Sequence, residues 1–129
     1  MTIKLDWMRG CGTALVTPFR KDGSIDDECF RALVERQIAG GVKLLVPCGT
    51  TGEAVTMSES ERLLVIRMTV ETAHRLKAKV IAGTGSNNTA SVIDFTRKAR
   101  EAGADAALVV APYYNKPTQE GMFAHFAEI

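Results

Sequence analysis

The stretch "LLVPCGTTGEAVT" at residues 44–56 decides the fold prediction. It opens with Leu44, Leu45 and Val46, a run apolar enough for a buried strand, and then turns through glycines and threonines. Three other segments repeat this pattern of a short apolar run followed by glycine, proline or small polar residues, at residues 13–17, 80–82 and 106–111. The chain is therefore predicted to return to a buried strand about every 30 residues, the length of a βαβ unit.

Between these runs, apolar residues recur with the period of an amphipathic helix. The three sets are Phe30, Leu33, Val34 and Ile38, then Leu63, Ile66, Val70 and Ala73, then Val92, Phe95 and Ala99. Helices that alternate with buried strands predict a parallel sheet with right-handed crossovers.

Boundary signals agree with these helices. Ser58 with Glu61 fits a capping box at a helix start. Gly40 and Gly103 stand where helices should end. Further cap candidates are Thr89 and Thr118.

Two architectures fit four βα units followed by a helix that begins near Thr118. One is an open, doubly wound sheet, and the other is half of a (β/α)8 barrel, which needs ~250 residues to close. No complete glycine fingerprint for phosphate follows the first strand, and "GTGSNN" at residue 83 lacks the last glycine of that motif. We therefore predict an α/β protein of the (β/α)8 TIM-barrel class, of which this chain holds about the first four units.

Composition excludes several classes of partner. A net charge of +1 with mixed acids and bases gives no basic stripe, so we expect no nucleic acid. The apolar runs are far shorter than the ~20 residues of a membrane span, and "MTIKLDWMRG" lacks the apolar core of a signal peptide. We expect a cytoplasmic protein with no membrane partner.

The three cysteines do not predict a disulfide or a metal site. Cys11, Cys29 and Cys48 form no CxxC pair and have no histidines at metal-ligand spacing. Neither His74 nor His125 is placed by a local motif to activate Cys48. We interpret Cys48 as a small buried apolar residue.

The loops after the strands carry the functional signal. They read "TPF" at 17, "CGTTGEAVT" at 48, "GTGSNNT" at 83 and "PYYNKPTQEG" at 112. In a parallel sheet these loops emerge on one face, where their hydroxyls and glycine-exposed amides suit a small carboxylate. Thr50 and Thr51 are the strongest candidates, because two adjacent hydroxyls exceed what a turn requires. Of Tyr113 and Tyr114, we expect one to pack against the protein and the other to point into a cavity or across to another subunit.

Lysines on this face are scarce. Lys43 and Lys79 precede strands and should be solvated on the opposite face, whereas Lys116 lies on the loop face. Nothing on its polar loop desolvates Lys116, so it should be a poor nucleophile. The residues alone predict binding of a small anion more strongly than its transformation.

The loop motifs also resemble a known family. "GTALVTPF", "DGSID", "PCGTTGEAVT", "VIAGTGSNNT", "GADAALVVAPYYNKPTQEG" and "HF" stand in the order and spacing of the dihydrodipicolinate synthase family. Sialic acid aldolases and other keto-acid aldolases share the fold and the GxTGE signature, but "PYYNKPTQEG" is more similar to the synthases.

The resemblance implies a lyase of lysine and diaminopimelate biosynthesis that acts through a Schiff base. A lysine forms an imine with pyruvate, and the resulting enamine attacks aspartate semialdehyde to give 4-hydroxy-tetrahydrodipicolinate. No metal and no organic cofactor is implied. A homodimer or homotetramer is expected for a complete protein.

The resemblance also assigns roles to individual residues. Gly49, Thr50 and Thr51 would bind substrate, with the Thr51 hydroxyl and backbone amide on the pyruvate carboxylate. Thr50 and Tyr114 would be catalytic, as parts of a proton relay that crosses a dimer interface.

An allosteric lysine site is a further implication, matched here by Asn87 and Tyr113. The neighbouring positions differ in chemistry from the lysine-sensitive pattern, which puts feedback inhibition in doubt. These positions are Ala54, Glu59, Arg62 and Ser91.

Family members are roughly twice as long as this chain. We therefore expect residues 1–129 to be the N-terminal half of a single barrel domain that ends before the strand with the Schiff-base lysine, and we expect this part alone to be inactive. Two alternatives remain. The chain could come from another pyruvate-dependent aldolase such as N-acetylneuraminate lyase, or it could be a non-catalytic half-barrel.

Overall fold

Four parallel strands alternate with four helices in the computed structural model, which describes residues 6–129. The strands are β1 (Gly12–Ala14), β2 (Leu44–Val46), β3 (Lys79–Gly83) and β4 (Ala106–Leu108). The helices are α1 (Asp27–Ala39), α2 (Glu59–Arg75), α3 (Thr89–Glu101) and α4 (Gln119–Ala127). Short 3-10 turns lie at Asp6–Met8 and Ala54–Thr56.

The order of the strands decides between the two predicted architectures. The sheet runs β1-β2-β3-β4 with every pair parallel, so each strand lies beside its neighbour in sequence. A doubly wound sheet reverses its strand order at a switch point, whereas a barrel does not. The fold is therefore a partial (β/α)8 barrel, as predicted.

The two faces of this sheet differ in burial. Leu15, Leu45 and Val80 point toward the helices and are buried in the core. The register places alternate residues on the opposite face, which we call the inner face. Its members within the strands include Ala14, Val46, Ile81 and Leu108, and Val16 and Val110 follow β1 and β4 at the same two-residue spacing. Among them Val16, Leu108 and Val110 are each about half exposed, so four strands leave the apolar interior open.

The strands differ slightly from their predicted bounds. β1 is shorter than the apolar run at residues 13–17, although the Leu15 N–H still donates to the Val46 carbonyl at 3.0 Å. β3 is longer and includes Lys79 and Gly83. An apolar run indicates burial, whereas the bounds of a strand follow its backbone hydrogen bonds to the neighbouring strands.

Most predicted caps are confirmed. Ser58 and Glu61 form the complete capping box of α2, and Gly40 caps the end of α1. Gly103, with φ of +97°, follows α3. Thr118 caps α4 by accepting from the Gly121 N–H at 3.1 Å.

The prediction of Thr89 as a cap is wrong. Asn88 caps α3, because its side-chain oxygen accepts from the Ser91 N–H at 3.2 Å. Thr89 is the first residue of the helix, and its Oγ1 instead lies 2.9 Å from Nδ1 of His125. His125 is the buried residue of α4, so this contact fastens α4 to the start of α3.

At the amino-terminal ends of the strands, Asp105 organises a polar cluster. Its carboxylate accepts hydrogen bonds from Lys79 Nζ at 2.6 Å, from His74 Nε2 at 2.9 Å and from the Val80 N–H at 2.9 Å. Lys79 is on the face predicted for it, and it is paired as well as partly solvated.

None of the helices that the structure describes is long and apolar enough to cross a membrane.

Candidate functional site

The turn after β2 is held against β1 by a buried hydroxyl. Thr17 Oγ1 donates to the Gly52 carbonyl at 2.8 Å, and Thr17 is buried. Cys48 and Glu53, which flank the threonine pair, have positive φ angles of 59° and 56°. The turn is thus strained, and the hydrogen bond from Thr17 holds it in place.

Residues with positive φ are concentrated in the loops at the carboxyl ends of the strands. Residues 6–129 contain five non-glycine residues with positive φ, and four of them lie in the loops after β2 and β4. They are Cys48, Glu53, Tyr114 and Lys116. Such conformations cost free energy and cluster at functional sites, so these loops are the site candidates.

The loops after β2, β3 and β4 meet around one cavity of about 570 Å³. Gly49 and Thr50 line it from the first loop, Gly85 from the second and Tyr113 from the third. Leu108 and other apolar residues form its remaining wall. The GTTGE and double-tyrosine segments therefore lie on a shared rim, which is the arrangement that the sequence predicted.

Glycines allow the backbones to approach closely here. A Cβ on Gly83 would lie 2.1 Å from the carbonyl oxygen of Cys48, and one on Gly85 would lie 2.6 Å from the Val110 nitrogen. These contacts leave no space for any side chain. The segments at the carboxyl ends of β2, β3 and β4 therefore contact one another directly through their backbones.

The two candidate threonines are not equivalent. Both side chains are exposed, but Thr50 lines the cavity and Thr51 does not. By contrast, the hydroxyls of Thr17 and Thr84 are used within the protein, the latter as the acceptor from Thr96 Oγ1 at 2.8 Å. Thr17 and Thr84 are therefore structural, whereas Thr50 and Thr51 present their side chains outward.

The two tyrosines point to different surroundings. Tyr113 is about half exposed and lines the cavity. Tyr114 is 94% exposed and has φ of +67°. Tyr114 therefore presents its ring to solvent and, unlike Tyr113, does not line the cavity.

Asn115 ties the double-tyrosine segment to the loop after β3. Its Nδ2 donates to the main-chain carbonyl of Asn87 at 3.0 Å, and its N–H donates to the Tyr113 carbonyl at 2.8 Å. Asn87 and Tyr113, the two candidates for an allosteric site, are thereby brought into neighbouring loops. The sequence analysis missed Asn115, since a polar residue after two tyrosines is typical of any turn.

Arg62 was also missed as a positioning residue. Its Nη2 donates to the Gly83 carbonyl at 3.3 Å, and its guanidinium stacks 3.9 Å from the centroid of the Phe95 ring. Burial lowers the pKa of this guanidinium. Arg62 links α2 to the end of β3 and to the middle of α3. These contacts join distant segments, so the sequence pattern does not reveal them.

Cys48 is structural, as interpreted from the sequence. Burial raises the pKa of its thiol to about 12, with the charge of Arg62 a smaller, opposing influence. Its Sγ lies 3.4 Å from the Arg62 carbonyl. Such a thiol is protonated at neutral pH and is a poor nucleophile. Within residues 6–129, no group of three His, Cys, Asp or Glu residues is placed to hold a metal ion.

Comparison with known proteins identifies the family. Residues 7–129 match the family model described as the dihydrodipicolinate synthetase family. A 4-hydroxy-tetrahydrodipicolinate synthase of Nitratidesulfovibrio vulgaris (strain DP4) is 57% identical over 120 residues, which cover 93% of this chain and 40% of that protein. One from Mesorhizobium japonicum is 53% identical over 95% of this chain and 41% of its own length. The chain thus spans about 40% of the relatives that it matches.

Solved structures agree with this match. A dihydrodipicolinate synthase from Bacillus anthracis superposes with a TM-score of 0.88 at 48% identity, covering 92% of this chain and 40% of that one. The chloride-inhibited enzyme from Acinetobacter baumannii, solved with pyruvate, gives a TM-score of 0.88 at 47% identity, with 91% and 40% covered. With its partial barrel and its loop motifs on a single rim, this chain belongs to the dihydrodipicolinate synthetase family.

Proposed function

We propose that this chain is the N-terminal part of a 4-hydroxy-tetrahydrodipicolinate synthase, with residues 1–129 forming about half of one barrel domain. The complete protein would condense pyruvate with aspartate semialdehyde through a Schiff base. Its nucleophilic lysine would come from a strand outside this sequence. The protein would act in the cytoplasm as a homodimer or homotetramer.

The observation that carries this proposal is the shared cavity of Thr50 and Tyr113. A keto acid needs fixed donors for its carboxylate and a hydroxyl close to its reacting carbon. The turn after β2 supplies the exposed side chains of Thr50 and Thr51, and a Cβ added to Gly49 would meet no atom within 4 Å. In this proposal Thr51 and Gly49 hold the carboxylate and Thr50 passes a proton.

Tyr114 would complete the relay in a second subunit. Its ring is almost fully exposed and does not line the cavity of its own chain. A relay needs its hydroxyls within hydrogen-bond reach of one another, which a neighbouring subunit would provide. Asn87 and Tyr113 would form the regulatory site, where Glu59 is already paired with Lys98 at 2.6 Å. A paired Glu59 offers less to a cationic effector, so we expect weak inhibition by lysine.

We propose that the 129-residue chain is inactive by itself. Lys116 lies on the rim, but it is exposed to solvent. An amine that forms an imine at neutral pH has to be desolvated or placed beside another cation. Lys116 therefore does not replace the missing lysine.

The substrate is tested by assaying the complete protein with pyruvate and aspartate semialdehyde, and separately with N-acetylneuraminate. Condensation of the first pair is expected. Activity on the sugar acid alone would instead identify a keto-acid aldolase of the same fold.

Inactivity of the chain is tested by borohydride reduction with pyruvate, followed by intact mass. We expect the complete protein to gain one covalent adduct and the 14.0 kDa chain to gain none. An adduct on the 14.0 kDa species that disappears in Lys116→Met would show that a lysine here reacts.

A further inference from the structure

We propose that His125 of α4 and Thr89 of α3 are positioning residues for Tyr114, because the contact between them fixes the segment that presents the tyrosine ring. Neither side chain would touch the substrate. This inference rests on the proposed function, in which Tyr114 passes a proton, and adds to it the two residues that hold this tyrosine in place.

Tyr114 has a backbone conformation that requires support. It is the central residue of a three-residue turn, closed by a hydrogen bond of 2.8 Å from the Asn115 N–H to the Tyr113 carbonyl. With φ of +67° at Tyr114, this turn is the rare, strained form of the γ-turn. The ring is 94% exposed, so packing of the ring contributes little to holding it. A strained conformation persists only where its surroundings impose it, so the support comes from the flanking segments.

A short connection joins Tyr114 to α4. Only residues 115–118 separate the tyrosine from the start of the helix. Pro117 fixes one φ angle of this connection, and Thr118 is held as the helix cap by the Gly121 N–H at 3.1 Å. Because little conformational freedom remains in the connection, a shift of α4 moves Tyr114 as well.

His125 fixes α4 to the preceding helix. It is 4% exposed, and its Nδ1 lies 2.9 Å from Oγ1 of Thr89, the first residue of α3. Within residues 6–129, this is the only hydrogen bond that joins a side chain of α4 to another helix or strand. The position of α4 against α3 therefore depends on this pair.

A second contact reaches the same stretch of chain. Asn115 Nδ2 donates to the Asn87 carbonyl at 3.0 Å, two residues before Thr89. Residues 87–89 thus hold the segment beside Tyr114 through one contact and α4 through the other. Either contact alone would leave the segment free to rotate about a single point, whereas the two together fix its direction.

The proposed relay is sensitive to a displacement of this segment. A proton passes only between groups within hydrogen-bond reach, and a misplacement of about 1 Å can lower a rate about 100-fold. The candidate carboxylate site at residues 49–51 is anchored separately, by the Thr17 hydroxyl on the Gly52 carbonyl. Breaking the contact between α4 and α3 should therefore slow turnover and leave that turn in place.

The test measures kcat of the complete protein with pyruvate and aspartate semialdehyde. Thr89→Val keeps the shape of the side chain but removes its hydroxyl, and it should lower kcat about 10- to 100-fold. Thr89→Ser keeps the hydroxyl and should retain most of the turnover. His125→Asn and His125→Gln give an independent comparison, because the Asn amide reaches the position of Nδ1 and the Gln amide that of Nε2. The Asn variant should be the more active of the two.

Combination with Tyr114→Phe separates positioning from a merely structural role. This substitution removes the hydroxyl that the contact is proposed to position, so adding Thr89→Val should lower kcat by less than about threefold more. A full 10- to 100-fold loss in that background would overturn the inference. Wild-type kcat in Thr89→Val would overturn it as well.

Failure of the proposed function has a different signature. If the complete protein does not condense pyruvate with aspartate semialdehyde, the role of Tyr114 in the relay is wrong, but amide exchange still tests the positioning. Exchange at residues 113–116 should be faster in Thr89→Val than in wild type or Thr89→Ser. Equal exchange in all three proteins would overturn the inference, whether or not the enzyme is active.

Discussion

The Thr17 hydroxyl donates a buried hydrogen bond to the main-chain carbonyl of Gly52 at 2.8 Å, which joins the end of β1 to the turn that carries Thr50 and Thr51. This contact spans 35 residues of sequence. It makes the position of the candidate substrate turn depend on the first strand of the sheet.

Replacing Thr17 by Val should therefore destabilise the protein. The substitution keeps the shape but leaves the Gly52 carbonyl without its buried donor, which costs about 1–3 kcal/mol. Urea denaturation monitored by circular dichroism measures the change, and Thr17→Ser, which keeps the hydroxyl, is the control. Equal midpoints for Val and wild type would show that the hydrogen bond adds nothing to stability.

Asn115→Ala should loosen the double-tyrosine segment. It removes the donor to the Asn87 carbonyl, a contact worth about 0.5–1.5 kcal/mol, so amide exchange at residues 113–116 should become faster. Asn87→Ala is a matched control, because the acceptor is the main-chain carbonyl and remains in place. Faster exchange in both variants would point to a general loss of loop order.

Gly83→Ala should be severely destabilising. Its Cβ would lie 2.1 Å from the Cys48 carbonyl oxygen, so the strand ends must move apart. Forced overpacking of this kind costs about 1–3 kcal/mol or more. Gly49→Ala, where a Cβ meets no atom within 4 Å, should change thermal stability little. A Gly83 variant as stable as the Gly49 variant would contradict the close backbone approach.

Asp105 should make stability depend on acidic pH. Burial alone would raise the pKa of its carboxyl, but hydrogen bonds from Lys79, His74 and the Val80 N–H hold that pKa below its usual value. A lowered folded-state pKa stabilises the protein above the unfolded value of about 3.9, and this contribution is lost as pH falls through the folded-state pKa.

The comparison of wild type with Asp105→Asn measures this effect. Wild type should be more stable at pH 6, and its advantage should shrink as pH is lowered toward 2. Lys79→Met should move the acid limb to higher pH, because it removes one of the donors that lower the carboxyl pKa. A constant difference between wild type and Asp105→Asn across this range would exclude the carboxylate as the cause.

Thr51→Val in the complete protein should weaken the capture of pyruvate. The loss of a hydrogen bond to a charged carboxylate costs about 1.5–3 kcal/mol, which should raise KM for pyruvate more than KM for aspartate semialdehyde. Thr51→Ser should retain most of the affinity. Unchanged pyruvate kinetics in Thr51→Val would remove this residue from the proposed site.

The sequence by itself determined the succession of strands and helices and the segments that form the rim. Local patterns can be recognised from the sequence alone. They include the buried run from Leu44 to Val46, the helical period of Phe30 and Val34, and the Ser58–Glu61 capping box. The shared rim of Thr50 and Tyr113 also followed, because parallel strands send their loops to one face.

Only the tertiary structure decided which of the similar residues do what. Thr17 and Thr51 are both loop threonines, yet one is buried on the Gly52 carbonyl and the other is exposed. Asn88 rather than Thr89 caps α3, because the Thr89 hydroxyl meets His125, 36 residues away. The strand order that selected the barrel, and the Arg62 stack on Phe95, are likewise contacts between distant segments. Hydrogen-bond partners and burial are properties of neighbours in space, and a sequence pattern records only neighbours along the chain.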